Sequence, residues 1–79
     1  MTTAQDIFTT AISIDHTIKT RHTLQRYRAS GAYDADAANR LLRNNARHAC
    51  RVYGVNADRV LLDNVVRLLQ VWCIESLRE

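Results

Sequence analysis

The segment from Val55 to Leu77 has the most apolar residue pattern in the chain. If it is helical, at about 100° per residue, one broad side carries the following apolar residues: Leu61, Leu62, Val65, Val66, Leu68, Leu69, Trp72 and Cys73. The opposite side is polar and consists of Arg59, Asp63, Arg67 and Gln70. An apolar side this wide predicts a helix over residues 57–77 that other helices cover from more than one direction.

The N-terminal third repeats its apolar residues at steps of three and four: Ala4, Ile7, Ala11, Ile14 and Ile18. This spacing predicts a helix over residues 3–29, with Thr2 or Thr3 as its N-cap. Past Ile18 the stripe loses register, which indicates a bend or a different neighbour. A strand over residues 9–14, which are rich in β-branched side chains, is the alternative interpretation.

A second helix is predicted over residues 35–53, after Gly31 and with Asp34 or Asp36 as its N-cap. The residues on its predicted buried face are Ala38, Leu41, Leu42, Ala49, Val52 and Tyr53. Asn45 falls on the same face, and a buried asparagine needs partners for its amide group. Gly54 then ends this helix, and Asn56 is positioned to cap the last one.

These patterns predict an all-α fold: a small three-helix bundle of one domain, residues 1–79, with a long, mostly buried C-terminal helix. The chain has no proline and two glycines, which leaves few helix breaks. Its start lacks the basic and apolar regions of a secretory signal, and no apolar run approaches the roughly 20 residues that span a bilayer. We therefore expect a soluble, cytoplasmic protein without membrane contact, with Cys50 and Cys73 as buried thiols.

Positive charge is concentrated in the first two-thirds of the chain. The net charge is +3, from ten arginines and one lysine against eight acidic residues. Between His16 and Tyr53 there are eight basic and two acidic residues, whereas from Gly54 onward there are three basic and four acidic ones. Because arginine makes forked contacts to carboxylates and phosphates, we expect a negatively charged partner to meet the basic part.

The predicted second helix carries the most specific surface feature, an arginine ridge formed by Arg40, Arg43, Arg47 and Arg51. Their spacing places the four side chains within about 80° around the helix axis and along about 16 Å of its length. A solvated helix face is the alternative interpretation, but such faces usually alternate acidic with basic residues. The arginine ridge is therefore the predicted partner-binding site, for phosphates or for acidic groups of a protein.

A second basic patch is predicted from Lys19, Arg21, Arg26 and Arg28. Two tyrosines lie near it in sequence, Tyr27 and Tyr33, and aromatic rings among arginines can stack on nucleic-acid bases. Basic residues near the C-terminus of a helix are also explained by the helix dipole alone. Both interpretations of this patch stay open from the sequence.

Four residues fit the loose spacing of a DNA-binding helix-turn-helix motif: Cys50, Gly54, Val55 and Val60. Asp63 stands where that motif expects an aliphatic residue, and Leu61 and Leu62 would have to enter a polar DNA groove. A plain connection between bundle helices is therefore favoured.

The histidines, His16, His22 and His48, show no metal-ligand spacing with one another or with the cysteines. No glycine-rich loop that could hold a nucleotide is found either. From these patterns we expect no metal, no cofactor, no small-molecule substrate and no enzymatic activity.

Three apolar residues of the last helix lie beside its polar strip: Val60, Val71 and Ile74. They predict a homodimer interface or an apolar docking face. Combined with the arginine ridge, this predicts a small helical protein that binds a macromolecular partner, a protein with an acidic surface in the first place. A DNA- or RNA-binding regulator that uses the same arginines on phosphates is the alternative.

A short helical chain without proline is similar in size and style to the small inhibitors that bacteriophages and mobile elements encode, such as anti-CRISPR proteins. The similarity includes no residue motif. It implies a protein that inhibits a host protein complex by covering part of its surface.

Overall fold

The computed structural model describes the backbone of residues 2–75 and the side chains of residues 2–73. Four helices make up this part of the chain: α1 (Ala4–Ile12), α2 (Asp15–Ser30), α3 (Ala35–Tyr53) and α4 (Arg59–Glu75). The all-α prediction is confirmed, whereas the three-helix count is wrong, because the predicted first helix is two helices. The alternative strand over residues 9–14 is wrong as well, since no strand occurs among residues 2–75.

The break between α1 and α2 comes from a tight turn at Ser13 and Ile14. Their N–H groups donate to the carbonyl oxygens of Thr10 and Ala11, at 3.2 and 3.0 Å, which tightens the end of α1. Ile14 then adopts φ −92° and ψ 126°, an extended conformation that a helix does not contain. The chain therefore changes direction at residues 13–14, earlier than the bend that the loss of register past Ile18 predicts.

Side-chain caps start three of the helices. Thr3 and Asp6 form a reciprocal capping box at the start of α1, and Asp34 caps α3. Thr3 and Asp34 are each one of the two N-caps that the sequence predicts for these helices. At α4 the prediction is wrong: the carboxylate of Asp58, rather than Asn56, accepts the backbone N–H of Leu61 at 2.9 Å. For this reason α4 begins two residues later than the predicted start at 57; the predicted end at 77 lies outside the described residues.

Gly31 and Gly54 end α2 and α3 as predicted. Both adopt left-handed conformations, with φ of 78° and 94°, which a residue with a Cβ atom rarely adopts. After Gly54 the N–H of Val55 donates back to the carbonyl of Cys50 at 3.0 Å. This closed turn lets α4 fold back along α3.

The hydrophobic core lies mainly between α1, α3 and α4, and α2 contacts each of them less extensively. Its buried members are Ile7, Ala11, Leu24, Ala38, Leu42, Ala46, Ala49, Cys50, Leu62, Val65, Val66, Leu69 and Cys73. Five of the eight residues on the broad apolar side predicted for α4 are thus buried, Leu61 and Trp72 pack at its margin, and Leu68 is half-buried. Both cysteines are buried, as predicted.

The buried face of α3 is narrower than predicted. Leu41 and Val52 are 39% and 58% exposed, and Tyr53 is exposed too, whereas Ala46 and Cys50 are buried although the prediction omitted them. Leu41 and Val52 lie roughly 80–100° from the centre of the buried face, beyond the reach of α1 and α4. Tyr53 is the last residue of the helix, where the neighbouring helices no longer cover it.

Asn45 lies in the middle of this narrow face and is only 1% exposed. Its Nδ2 atom has no hydrogen-bond partner in the described part of the chain. The sequence placed Asn45 on this face without deciding its burial; the side chain is buried, but the partner that a buried amide usually finds is not seen for this donor.

Candidate functional site

The arginine ridge lies on the surface of α3, but its four members have two different surroundings. Arg40, Arg47 and Arg51 are exposed, and Arg47 has only a long hydrogen bond, 3.5 Å, to the side chain of Asn44. Arg43 leans toward α4 and is half-buried, because it forms an ion pair there. The structure therefore brings three of the predicted residues together on the outer surface and places the fourth at its edge.

The outer face of α3 combines these arginines with aliphatic side chains. Leu41 and Val52 lie on the border of the face that points away from α4, and Asn44 and His48 separate them from the arginines. No acidic residue occurs in α3 after Asp36. The result is a positively charged surface with an apolar margin, about 16 Å long between the Cα atoms of Arg40 and Arg51.

Arg43 and Asp63 form the one salt bridge between side chains in the described part of the chain. The Nη1 atom of Arg43 donates to Oδ1 of Asp63 over 2.5 Å and so joins α3 to α4. This hydrogen bond holds the pKa of the Asp63 carboxyl below its usual value, and the positive charges of Arg59 and Arg67 act in the same direction. The hydrogen bond of Asp63 thus goes to α3 and not to the arginines of its own helix.

An open groove of about 350 Å³ runs between α3 and α4 beside this ion pair. The residues that line it are Asn39, Arg40, Arg43, Asp63, Val66, Arg67 and Gln70. At one end, Gln70 donates a hydrogen bond from its amide to the side-chain oxygen of Asn39. We call this feature the basic groove, because it carries three arginines and one carboxylate.

Sequence reasoning missed Asp63, Asn39 and Gln70 as parts of this site. Asp63 and Gln70 were recognised only as members of the polar strip of α4, and Arg67 was not connected with the arginine ridge. The sequence does contain a signal for this contact. Arg43 lies at the edge of the arginine ridge, and the polar strip of an antiparallel neighbouring helix would face that edge.

The predicted second basic patch does not form one continuous surface. The guanidinium carbon of Arg21 lies 4.2 Å from the ring centroid of Trp72, and that of Arg28 lies 5.0 Å from the ring of Tyr33. Arg21 therefore packs against the protein, and its Nε atom is buried without a hydrogen-bond partner among the described residues. Lys19 and Arg26 remain exposed on α2.

The predicted dimer or docking face is exposed where the structure describes it. Val60 and Val71 are 69% and 53% exposed, while the side chain of Ile74 lies outside the described residues. Val71 also borders an open groove of about 370 Å³ between α1 and α4. The residues that line this apolar groove are Phe8, Ile12, Leu68, Val71 and Trp72.

The geometry of α3 and α4 rules out the helix-turn-helix motif considered from the sequence. Side-chain contacts join Asn39 to Gln70 and Arg43 to Asp63, so the two helices run antiparallel and side by side. The helices of such a motif cross at about 90–120°. In addition, Val60 is exposed where the motif requires a core residue, and Leu62 is buried in the core rather than available to DNA.

Candidate chemistry outside these surfaces is sparse. Burial raises the pKa of the Cys50 thiol, helped by the negative charge of Asp58, and burial raises that of Cys73, which the charge of Arg21 partly offsets. The three histidines are exposed, and no group of three or more metal-ligating side chains occurs in the part of the chain that was described. No helix between residues 2 and 75 is long and apolar enough to cross a membrane.

No protein-family model, curated protein or solved structure matches this chain. The site is therefore interpreted from its own geometry and charge.

Proposed function

We propose that this chain is a non-enzymatic binding protein whose outer α3 face covers an acidic surface on a partner protein. One observation carries the proposal: Arg40, Arg47 and Arg51 are exposed on a face of α3 whose only acidic residue is Asp36, one turn before Arg40, and that borders exposed aliphatic side chains. Arginine beside apolar side chains is the composition that protein interfaces favour. A small protein of this kind acts by occupying its partner's surface, as an inhibitor of a host protein complex would.

Site-specific photo-crosslinking tests this proposal. A photoreactive amino acid replaces Asn44, which is exposed between the arginines and the aliphatic margin of α3, and adducts formed in cells that express the chain are identified by mass spectrometry. The double variant Arg47→Glu and Arg51→Glu should lose the protein adduct. The charge-matched control, Lys19→Glu with Arg26→Glu on the exposed surface of α2, should retain it. Circular dichroism confirms that each variant is folded.

If both double variants give the same adducts as the unmodified chain, the arginines of α3 form only a solvated surface and the proposal is wrong. A nuclease treatment separates the alternative function. An adduct that nuclease digestion removes would indicate DNA or RNA, and its binding should then weaken steeply with salt, because each neutralised phosphate releases counterions.

The alternative of nucleic-acid binding has its own supporting observation. Tyr33 is exposed and has Arg28 against its ring, and the two line a cavity of about 150 Å³ that shares Asn39 and Gln70 with the basic groove. Aromatic rings beside a track of arginines can bind single-stranded nucleic acid by stacking. We rank this function second because the aliphatic margin of α3 has no role in it.

We also propose that two copies of the chain associate through the exposed side of α4. Support comes from Val60 and Val71, which are apolar and exposed, and from the apolar groove next to Val71. Sedimentation velocity measures the outcome. The chain should sediment at about twice its 9.0 kDa mass, and Val60→Asp with Val71→Asp should return it to one copy. Val52→Asp on α3 is the control, and a chain that sediments as one copy contradicts the dimer.

A further inference from the structure

The basic groove holds more positive charge than the chain itself neutralises. Asp63 accepts a hydrogen bond from one nitrogen of Arg43, and it is the only carboxylate among the lining residues. In the described part of the chain, no hydrogen bond or ion pair joins Arg40 or Arg67 to another residue. Since a guanidinium group carries five N–H donors, most donors along the groove are open to a ligand.

The groove already stabilises a carboxylate in its charged form. The hydrogen bond from Arg43 favours the ionised form of the Asp63 carboxyl, and Arg59 and Arg67 are close enough to add to this effect. The same positions would stabilise a carboxylate that came from another molecule. The surroundings of Asp63 thus favour a carboxylate as the ligand of the groove.

The position of the groove indicates that a protein would supply this group. Arg40 and Arg43 belong both to the groove and to the arginine ridge, so a partner that lies on α3 reaches the groove directly. The far margin of that face is formed by the exposed aliphatic residues Leu41 and Val52. A partner surface therefore meets arginines on one side and aliphatic side chains on the other, which suits a protein rather than a phosphate backbone.

We propose that the basic groove binds carboxylate side chains of an acidic segment of the partner protein, and that Asp63 occupies part of the groove as an internal competitor. The inference rests on the proposed function, because it names the chemical group through which the partner is recognised. An incoming carboxylate meets Arg40 and Arg67, whose donors are open, and competes with Asp63 for Arg43.

A synthetic peptide tests this inference without the natural partner. Binding of a dye-labelled octaglutamate peptide is measured by fluorescence anisotropy at low salt, with octaglutamine as the uncharged control. Asp63→Asn should tighten octaglutamate binding by about two- to fivefold, the range expected for one partly exposed charge pair. Arg67→Gln should weaken it by a similar factor. Asp15→Asn and Arg26→Gln, exposed on α2, make the same changes of charge elsewhere and should have little effect.

Three outcomes would overturn the inference. If Asp63→Asn and Asp15→Asn tighten binding equally, only net charge matters and the groove is not a site. If Asp63→Asn weakens binding, Asp63 positions Arg43 for the ligand and does not compete with it. If octaglutamate does not bind while inorganic phosphate or a single-stranded 12-nucleotide RNA does, the groove selects phosphate.

Failure here is distinguishable from failure of the proposed function. Arg47 and Arg51 do not line the groove, so crosslinking that depends on them reports on the outer face of α3 alone. In one such case, the adduct is lost with Arg47→Glu and Arg51→Glu but forms in equal amount with Asp63→Asn and Arg67→Gln. That result would support the proposed function and show that the groove takes no part in it.

Discussion

The two flanks of α4 are grooves of similar size with opposite chemistry. Toward α1 the groove is lined by aromatic and aliphatic side chains that continue into the hydrophobic core. Toward α3 it is lined by arginines, amides and one carboxylate, and it is bridged by one ion pair and one hydrogen bond between side chains. The apolar flank joins α4 to the hydrophobic core, and the basic flank is the one on which we propose that a partner binds.

Substitution of Trp72 should have the largest effect, because it lies on the apolar flank and joins several contacts. Its ring packs edge-on against Phe8, with centroids 6.5 Å apart and planes at 85°, and lies under the guanidinium of Arg21. We expect Trp72→Ala to lower the free energy of unfolding by about 2–4 kcal/mol, somewhat less than for a fully buried tryptophan. Urea denaturation followed by circular dichroism measures the change.

Arg67→Ala on the basic flank is the matched comparison, since it removes a long side chain from the other groove of the same helix. It should change the free energy of unfolding by no more than about 0.5 kcal/mol, as surface substitutions usually do. If Trp72→Ala and Arg67→Ala lower the free energy of unfolding by the same amount, both flanks stabilise the fold equally and the contrast between them is wrong.

Substitution of Arg21, whose guanidinium lies on the apolar flank, should have a smaller effect on the free energy of unfolding. Arg21 is half-buried over Trp72, whereas Arg28 is exposed beside Tyr33. We expect Arg21→Met to lower the free energy of unfolding by about 0.5–1 kcal/mol and Arg28→Met to lower it by less, because water weakens cation–π attraction at exposed sites. Thermal and urea denaturation of the two variants provide the measurement.

An increase in stability for Arg21→Met would have a definite meaning. It would show that the unpartnered, buried Nε atom of Arg21 costs more free energy than the stacking on Trp72 contributes. In that case the position of Arg21 on the apolar flank would lower the stability of the folded chain.

The apolar flank could be predicted from the sequence more fully than the basic one. The apolar side of α4 follows from periodicity, because a helix turns by about 100° per residue whatever surrounds it. The same rule places Arg40, Arg47 and Arg51 together on α3. Periodicity also places Arg43 at the edge of the ridge, but it does not give the rotation of one helix relative to its neighbour. The particular pairing of Arg43 with Asp63, 20 residues apart, therefore could not be derived.

The break before α2 could not be predicted for a different reason. The spacing of Ala11, Ile14 and Ile18 continues across the break as if one helix passed through it. In addition, α2 buries Thr17 and Thr20, which a search for aliphatic positions overlooks. Arg21 of α2 packs half-buried against Trp72, so the predicted second basic patch includes a residue with a structural contact.

The smallest expected effect concerns the ion pair on the basic flank, and it depends on pH. The folded-state pKa of Asp63 is below its ordinary value, so the carboxylate contributes stability at neutral pH. That contribution is fully present above the pKa of the unfolded chain and is lost as the pH falls through the folded pKa. The difference in stability between the unmodified chain and Asp63→Asn should therefore shrink as the pH falls below the ordinary aspartate pKa of about 3.9.

A double-mutant cycle separates this ion pair from unrelated acid effects. Stability is measured at several pH values for Asp63→Asn, Arg43→Gln and the combination, and the coupling between the two positions is calculated at each pH. The coupling should be favourable at pH 7 and should disappear in acid, because a protonated Asp63 no longer attracts Arg43. A coupling that stays constant as the pH falls below the ordinary aspartate pKa of about 3.9 and through the acid range would mean that packing rather than charge joins the two helices there. The basic flank would then stabilise the fold by packing, as the apolar flank does. The two grooves would differ in the residues that line them but not in what they do.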